Sequence, residues 1–283
     1  MPEAHPKFDL LPIAGLWRPG GLKRRLQDRN PYSGALMVER QQCDRADLDA
    51  ACDKALDAQR AWARQPPAER AAVMSRAAQV MEIRRAEIVT WLTEESGSAR
   101  VKAELEWQWA RDILLEAAAL VYRVEGRLLP VDAPRKESQA HCKPVGVVSV
   151  IGPWNWPLHL CLRCVAPALA VGNAVVLKPS SDTPVTAGLL PARIVEETGF
   201  PAGLFSVLVG PGSEIGEPLV LHPAPRVVSF TGSTAVGRHI AGLSARAPTL
   251  KRLELELDGA CAIEAFTTDQ WVSLQHEPPR FPF

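Results

Sequence analysis

Between Val145 and Leu257 short apolar runs alternate with longer helical segments, and no other feature of the chain constrains its fold as strongly. The first repeat is the clearest. Val145 to Ile151 is a mostly β-branched apolar run, which suits a strand buried on both faces of a parallel sheet. It ends in Gly152-Pro153, a pair that a central strand does not tolerate. Pro157 follows where the first turn of a helix accepts a proline. A second apolar run, Ala174 to Leu177, stops at Lys178-Pro179. Strand, turn, helix and strand make a βαβ unit, and ligands in such sheets bind beyond the carboxyl ends of the strands. Asn155 and Lys178 both fall at those ends, so two unlike polar groups converge on one crevice.

The alternation continues with a helix over 185–198, a strand over 204–209, a helix over 212–221, a strand over 227–230, a helix over 234–243 and a last strand over 251–257. The fold class is therefore α/β: a Rossmann-like open parallel sheet, with right-handed crossovers placing helices on both faces. The front third reads as turns at 16–21 and 28–34, then amphipathic helices over 45–63, 67–95 and 100–121, the first capped by Asp44. Residues 123–144 break the pattern with Gly126, Pro130 and Pro134 and read as a projecting arm or hairpin. The expected organisation is 1–122 packing on the core, 123–144 as the arm, 145–259 as the core and 260–283 as a tail.

Composition excludes several functions. Lys plus Arg equals Asp plus Glu at 32 each, which gives no charge argument for nucleic acid or a membrane surface. No apolar run reaches the roughly 18 residues that span a bilayer, and the N-terminus lacks the order of a signal peptide. The six cysteines are scattered without a disulfide spacing, so the expectation is a cytoplasmic protein with reduced thiols.

Several motifs carry chemistry. Gly210-Pro211-Gly212-Ser213-Glu214-Ile215-Gly216 is one residue off the dinucleotide fingerprint, and is equally a tight connection. Phe230-Thr231-Gly232-Ser233-Thr234 opens a helix directly after a strand, where free N–H groups and the helix dipole favour an anion. Ser233 or Thr234 is alternatively only a cap. Two such turns in one sheet favour a dinucleotide, and no P-loop motif occurs. Lys178 at a strand end suits a ribose hydroxyl or phosphate, or else snorkels to solvent. In Leu253-Glu254-Leu255-Glu256-Leu257 the period of two puts both glutamates on one face. A carboxylate beside an apolar crevice serves as a general base; on an open edge it is merely solvated. Cys161-x-x-Cys164 lies inside a helix and reads as buried structural thiols, and the histidines show no metal-ligand spacing. Trp154 and Trp156 flank Asn155 and are candidates to wall a pocket.

In order and spacing, P-W-N-W-P (153–157), L-K-P-S-S (177–181), G-x-G-x-x-x-G (210–216), F-T-G-S-T-x-x-G (230–237) and L-E-L-x-G (255–259) resemble the NAD(P)-dependent aldehyde dehydrogenase superfamily, and within it bacterial members acting on benzaldehyde and vanillin. The resemblance implies oxidation of an aldehyde, of aromatic class among those members, to a carboxylic acid with NAD or NADP. Asn155 would donate its amide to the oxyanion, and Glu256 would be the general base. Ile151, Gly152, Pro153 and Trp154 would border the cofactor. Lys178, with Pro179, Ser180 and Ser181, would hold its adenosine ribose. Gly212 and Gly216 would belong to the first glycine turn. Phe230, Thr231, Gly232, Ser233 and Val236 would meet the pyrophosphate side, and Leu257 the nicotinamide side. The arm would pair copies into a homo-oligomer. Serine at 181, where NAD-preferring relatives often carry glutamate, leaves NADP open. The chain also departs from the family. The G-Q-x-C motif with the nucleophilic cysteine is absent after Glu256, Cys261 is too close to Glu256 to replace it, and Asp258 stands for a glycine. The expectation is a C-terminally truncated member whose catalytic domain is missing and which does not turn over, or a non-catalytic nucleotide-binding remnant or interaction module.

Overall fold

The computed structural model describes residues 8–129 and 138–257. Two small hairpins come first: β1 (Leu11–Ile13) with β2 (Leu16–Arg18), and β3 (Arg25–Arg29) with β4 (Leu36–Gln41). Helices α1 (Arg45–Trp62), α2 (Pro67–Ile83), α3 (Arg85–Glu95) and α4 (Arg100–Leu120) follow. β5 (Gly126–Leu129) and β6 (Ser138–His141) pair antiparallel. The remainder alternates: β7 (Val147–Ile151), α5 (Pro157–Ala170), β8 (Ala174–Lys178), α6 (Leu190–Glu197), β9 (Phe205–Val207), α7 (Glu217–Leu221), β10 (Pro225–Gly232), α8 (Thr234–Ser244) and β11 (Arg252–Leu257).

The last five strands form one sheet in the order β11-β10-β7-β8-β9, with every neighbour parallel. The open parallel sheet expected from the alternation is the sheet observed. Asp44 caps α1 in a reciprocal box with Asp47, as its position before the apolar period implies. One continuous core joins β7, β8 and β9 to the front helices. Polar ties fasten that contact: Trp62 Nε1 donates to the Leu169 carbonyl at 2.7 Å and Arg70 Nε to the Ala170 carbonyl at 2.9 Å, both at the end of α5. Glu95, buried at the end of α3, accepts the Val185 and Thr186 N–H groups at 2.7 Å each. Burial, then the neighbouring Asp28, pushes its carboxyl well above the usual range.

Several boundaries differ from expectation. The span 67–95 is two helices. The break at Arg84 lets α3 turn Ile88, Trp91 and Leu92 inward, and Arg84 is held by Glu87 and Glu197. The first turn lies at Ala14–Gly15, both with positive φ, and Leu16–Arg18 is strand. The helices over 185–198 and 212–221 each begin with a wide turn, over 185–189 and 212–216. The expectations for Pro130, Pro134, Asp258 and the tail from Ala260 lie outside the described residues.

Candidate active site

Strand register brings the candidate residues into rows at the carboxyl edge of the sheet. Ile151 of β7 is level with Lys178 of β8 on one side and Phe230 of β10 on the other. Across β10 and β11, Thr231 is level with Glu256 and Gly232 with Leu257. Residues far apart in sequence thus share one edge because parallel strands all end there. Gly152 begins the turn above β7. A Cβ at this position would stand 2.2 Å from Cys161 Sγ, so a larger residue would have to displace that thiol.

Lys178 is buried, and its Nζ donates to the Pro179 carbonyl at 3.1 Å. No carboxylate pairs with it among the described residues, and burial pulls its ammonium below the ordinary lysine value. A buried ammonium with donors to spare fits a hydroxyl or phosphate oxygen better than it fits an apolar wall. Gly216 abuts its stem: a Cβ there would lie 3.5 Å from Lys178 Cδ. Gly212 is exposed at the start of the same turn. Pro179 is buried; Ser180 and Ser181 are half-buried, with Ser180 Oγ 3.3 Å from Asp182. Ser233 caps α8 by accepting the Val236 N–H at 3.4 Å, and Val236 is half exposed. The helix N-terminus and the glycine before it open on the same edge as Lys178. These groups suit a pyrophosphate and a ribose.

Glu256 is half-buried. Its Oε2 is ion-paired with Arg163 of α5 and accepts the Thr231 hydroxyl at 3.2 Å. Its Oε1 is buried with no hydrogen-bond partner among the described residues. Burial raises the carboxyl above its ordinary value, while Arg163 and Thr231 oppose the rise. Glu254, on the same face, turns instead to Arg252. Asn155 is half-buried in the turn before α5, and its Oδ1 accepts the Trp156 N–H at 3.0 Å.

The two tryptophans do not wall one pocket. Trp154 is 58% exposed and lines a cleft of about 380 Å³ with Asp28, Arg29, Glu95, Ser181 and Thr183. Trp156 turns to α4, where its ring stacks on Trp109 at 5.2 Å. Arg163, His159 and Trp109 were missed by sequence reasoning. One signal was available: Asn155, His159 and Arg163 are spaced by four, which aligns the last two on one face of α5 below the first. Burial holds His159 neutral, with its pKa lowered to about 4. Cys161 is buried, and Cys164 accepts the Ser229 hydroxyl at 3.1 Å, which agrees with structural thiols.

The model of the aldehyde dehydrogenase family matches residues 17–268. The chain belongs to the aldehyde dehydrogenase family. It is 50% identical over 247 residues to a vanillin dehydrogenase of Corynebacterium glutamicum, covering 87% of this chain and 51% of that protein. It is 39% identical over 250 residues to a benzaldehyde dehydrogenase of Bacillus subtilis, covering 88% and 51%. The crystal structure of an NAD-dependent benzaldehyde dehydrogenase from Corynebacterium glutamicum superposes with a TM-score of 0.88 at 49% identity, covering 90% of this chain and 55% of that one. The chain thus spans about half the length of the aldehyde dehydrogenases it matches. Among the described residues no helix is long and apolar enough to cross a membrane.

Proposed function

We propose that this chain supplies the NAD(P)-binding half of an aromatic aldehyde dehydrogenase together with one wall of its aldehyde site. The observation that carries the reading is the carboxyl edge of the sheet, where buried Lys178 ends β8, the capped start of α8 follows β10 and Glu256 lies next to the end of β11. Lys178 binds the adenosine ribose, and Ser180 and Ser181 lie beside it. Gly232 and Ser233 present N–H groups to the pyrophosphate. Ile151, Gly152, Pro153 and Leu257 border the nicotinamide, which accepts hydride from the aldehyde carbon when it is bound. Asn155 donates its amide to the aldehyde oxygen as negative charge grows there. Glu256, raised by burial, takes a proton at its carboxylate. An aromatic aldehyde is the substrate class of the vanillin and benzaldehyde dehydrogenases the chain resembles. Serine at 181 puts no carboxylate of its own against a 2′-phosphate, which leaves NADP open beside NAD.

The chain by itself binds cofactor without turnover. Nucleophilic attack needs a thiolate beside the aldehyde; burial pushes the thiols of Cys43, Cys52, Cys161 and Cys164 upward, and exposed Cys142 directly follows β6 in the hairpin. The β5–β6 hairpin, whose β5 residues are all exposed, pairs with a second copy as an oligomerisation arm. Incubating purified protein with NAD+ or NADP+ and benzaldehyde tests the catalytic part: no aldehyde-dependent reduced cofactor is expected. Sustained reduction would overturn it. Sedimentation that shows only monomer would overturn the arm.

A further inference from the structure

We infer that Glu106 of α4 is a positioning residue that fixes the direction of Asn155. The proposal rests on the reading of Asn155 as the donor to the aldehyde oxygen. The first N–H groups of a helix have no partner within it. At α5 the residue before the helix is Trp156, which has no side-chain oxygen and makes no cap. Glu106 reaches in from another helix instead. Its Oε1 accepts the Leu158 and His159 N–H groups at 2.9 and 3.3 Å. Its Oε2 accepts Lys102 Nζ at 2.9 Å, and the same Nζ lies 4.3 Å from the centre of the Trp156 ring.

One fully buried carboxylate therefore holds the backbone at 158 and 159 and, through Lys102, the side chain at 156. Asn155 is keyed to the same segment, because its Oδ1 accepts the Trp156 N–H. That contact couples the side-chain amide to the peptide of residue 156. Burying a carboxylate is costly, and a serine at 156 would cap the helix without that cost. What the buried carboxylate adds is a link from α4 to both sides of the turn that carries Asn155. Donors to a reacting oxygen need this kind of hold, since a misplacement of about 1 Å can cost on the order of a hundredfold in rate.

The test uses the full chain with NAD+ bound and reads the Asn155 side-chain amide by 15N NMR, assigned with Asn155→Ala. In Glu106→Gln the Asn155 Nδ2 pair should shift and broaden, and the Leu158 and His159 amides should lose protection from exchange. Lys102→Met keeps the Glu106 side chain on both amides but releases the Trp156 ring, so it should shift the Asn155 signal less than Glu106→Gln does while altering the near-ultraviolet dichroism of Trp156. A folded Glu106→Gln chain with an unchanged Asn155 signal overturns the proposal. Should that variant not fold, rapid exchange of the Leu158 and His159 amides in the wild-type chain overturns it equally. Benzaldehyde titration supplies the second readout. Glu106→Gln should weaken binding about tenfold, and adding it to Asn155→Ala should weaken binding no further. Equal and additive losses would mean a merely structural role. If the wild-type chain binds no benzaldehyde while the Asn155 signal still follows Glu106, the aldehyde-site reading falls and the positioning role stands.

Discussion

β8 buries all five of its residues, whereas β11, at one edge of the same sheet, buries none completely. The difference continues beneath them. β7, β8 and β9 stand on the core shared with the front helices, while β10 and β11 cover a small separate cluster of Val220, Val228, Phe230, Ile240 and Leu243. The candidate site straddles the two. Lys178 sits on the thick side, where packing fixes the backbone. Glu256 sits on the thin side, where its orientation depends on Arg163 and Thr231. The lesson is that one sheet edge is held in two ways, by core packing at one end and by polar contacts at the other.

The largest expected effect sets the two sides directly against each other. Leu177→Ala, fully buried in β8, should cost about 3 kcal/mol in chemical denaturation. Leu255→Ala, half-buried in β11, should cost only about 1 kcal/mol. Equal costs would break the comparison. A second contrast comes from pH. His159 on the thick side has its pKa lowered to about 4 from 6.5. A lowered folded value means the unfolded chain takes the proton first. Its contribution is present above pH 6.5 and lost as pH falls toward 4, by up to about 3 kcal/mol. His159→Gln should flatten that part of the stability profile, and an unchanged slope would contradict the burial argument.

Polar control of the thin side is tested next. Arg163→Met should lower stability by about 2 kcal/mol and move the Glu256 carboxyl further above its ordinary value, read by carbon NMR titration. Thr231→Val should do the same in smaller measure, about 1 kcal/mol, because it removes only one hydroxyl donor. If neither change moves Glu256, packing and not pairing orients it.

The sheet was legible in the chain because alternating runs and the Gly-Pro and Lys-Pro stops are local signals. The gathering of Ile151, Lys178, Phe230, Glu256 and Leu257 at one edge followed, since parallel strands all end on the same side of the sheet. What was not legible was whatever crosses between elements. Glu106 carries no local mark that it caps a helix 52 residues away. Arg163 reads as an ordinary charge within an apolar helix until β11 is laid beside it. The break at Arg84 is hidden because both halves have helical spacing, and only the inward turn of Trp91 demands it. Trp154 and Trp156 looked like partners because they are two apart; the tight turn at Asn155 sends them to different neighbours.

The central claim is that the carboxyl edge, anchored by buried Lys178, holds a dinucleotide. Titration calorimetry of the chain with NAD+ and NADP+ tests it most directly. Saturable binding of one cofactor per chain is expected, weakened about tenfold or more in Lys178→Ala with no loss of cooperative unfolding. A folded wild-type chain that takes up neither cofactor, or a Lys178→Ala chain that binds as tightly as wild type, would contradict it.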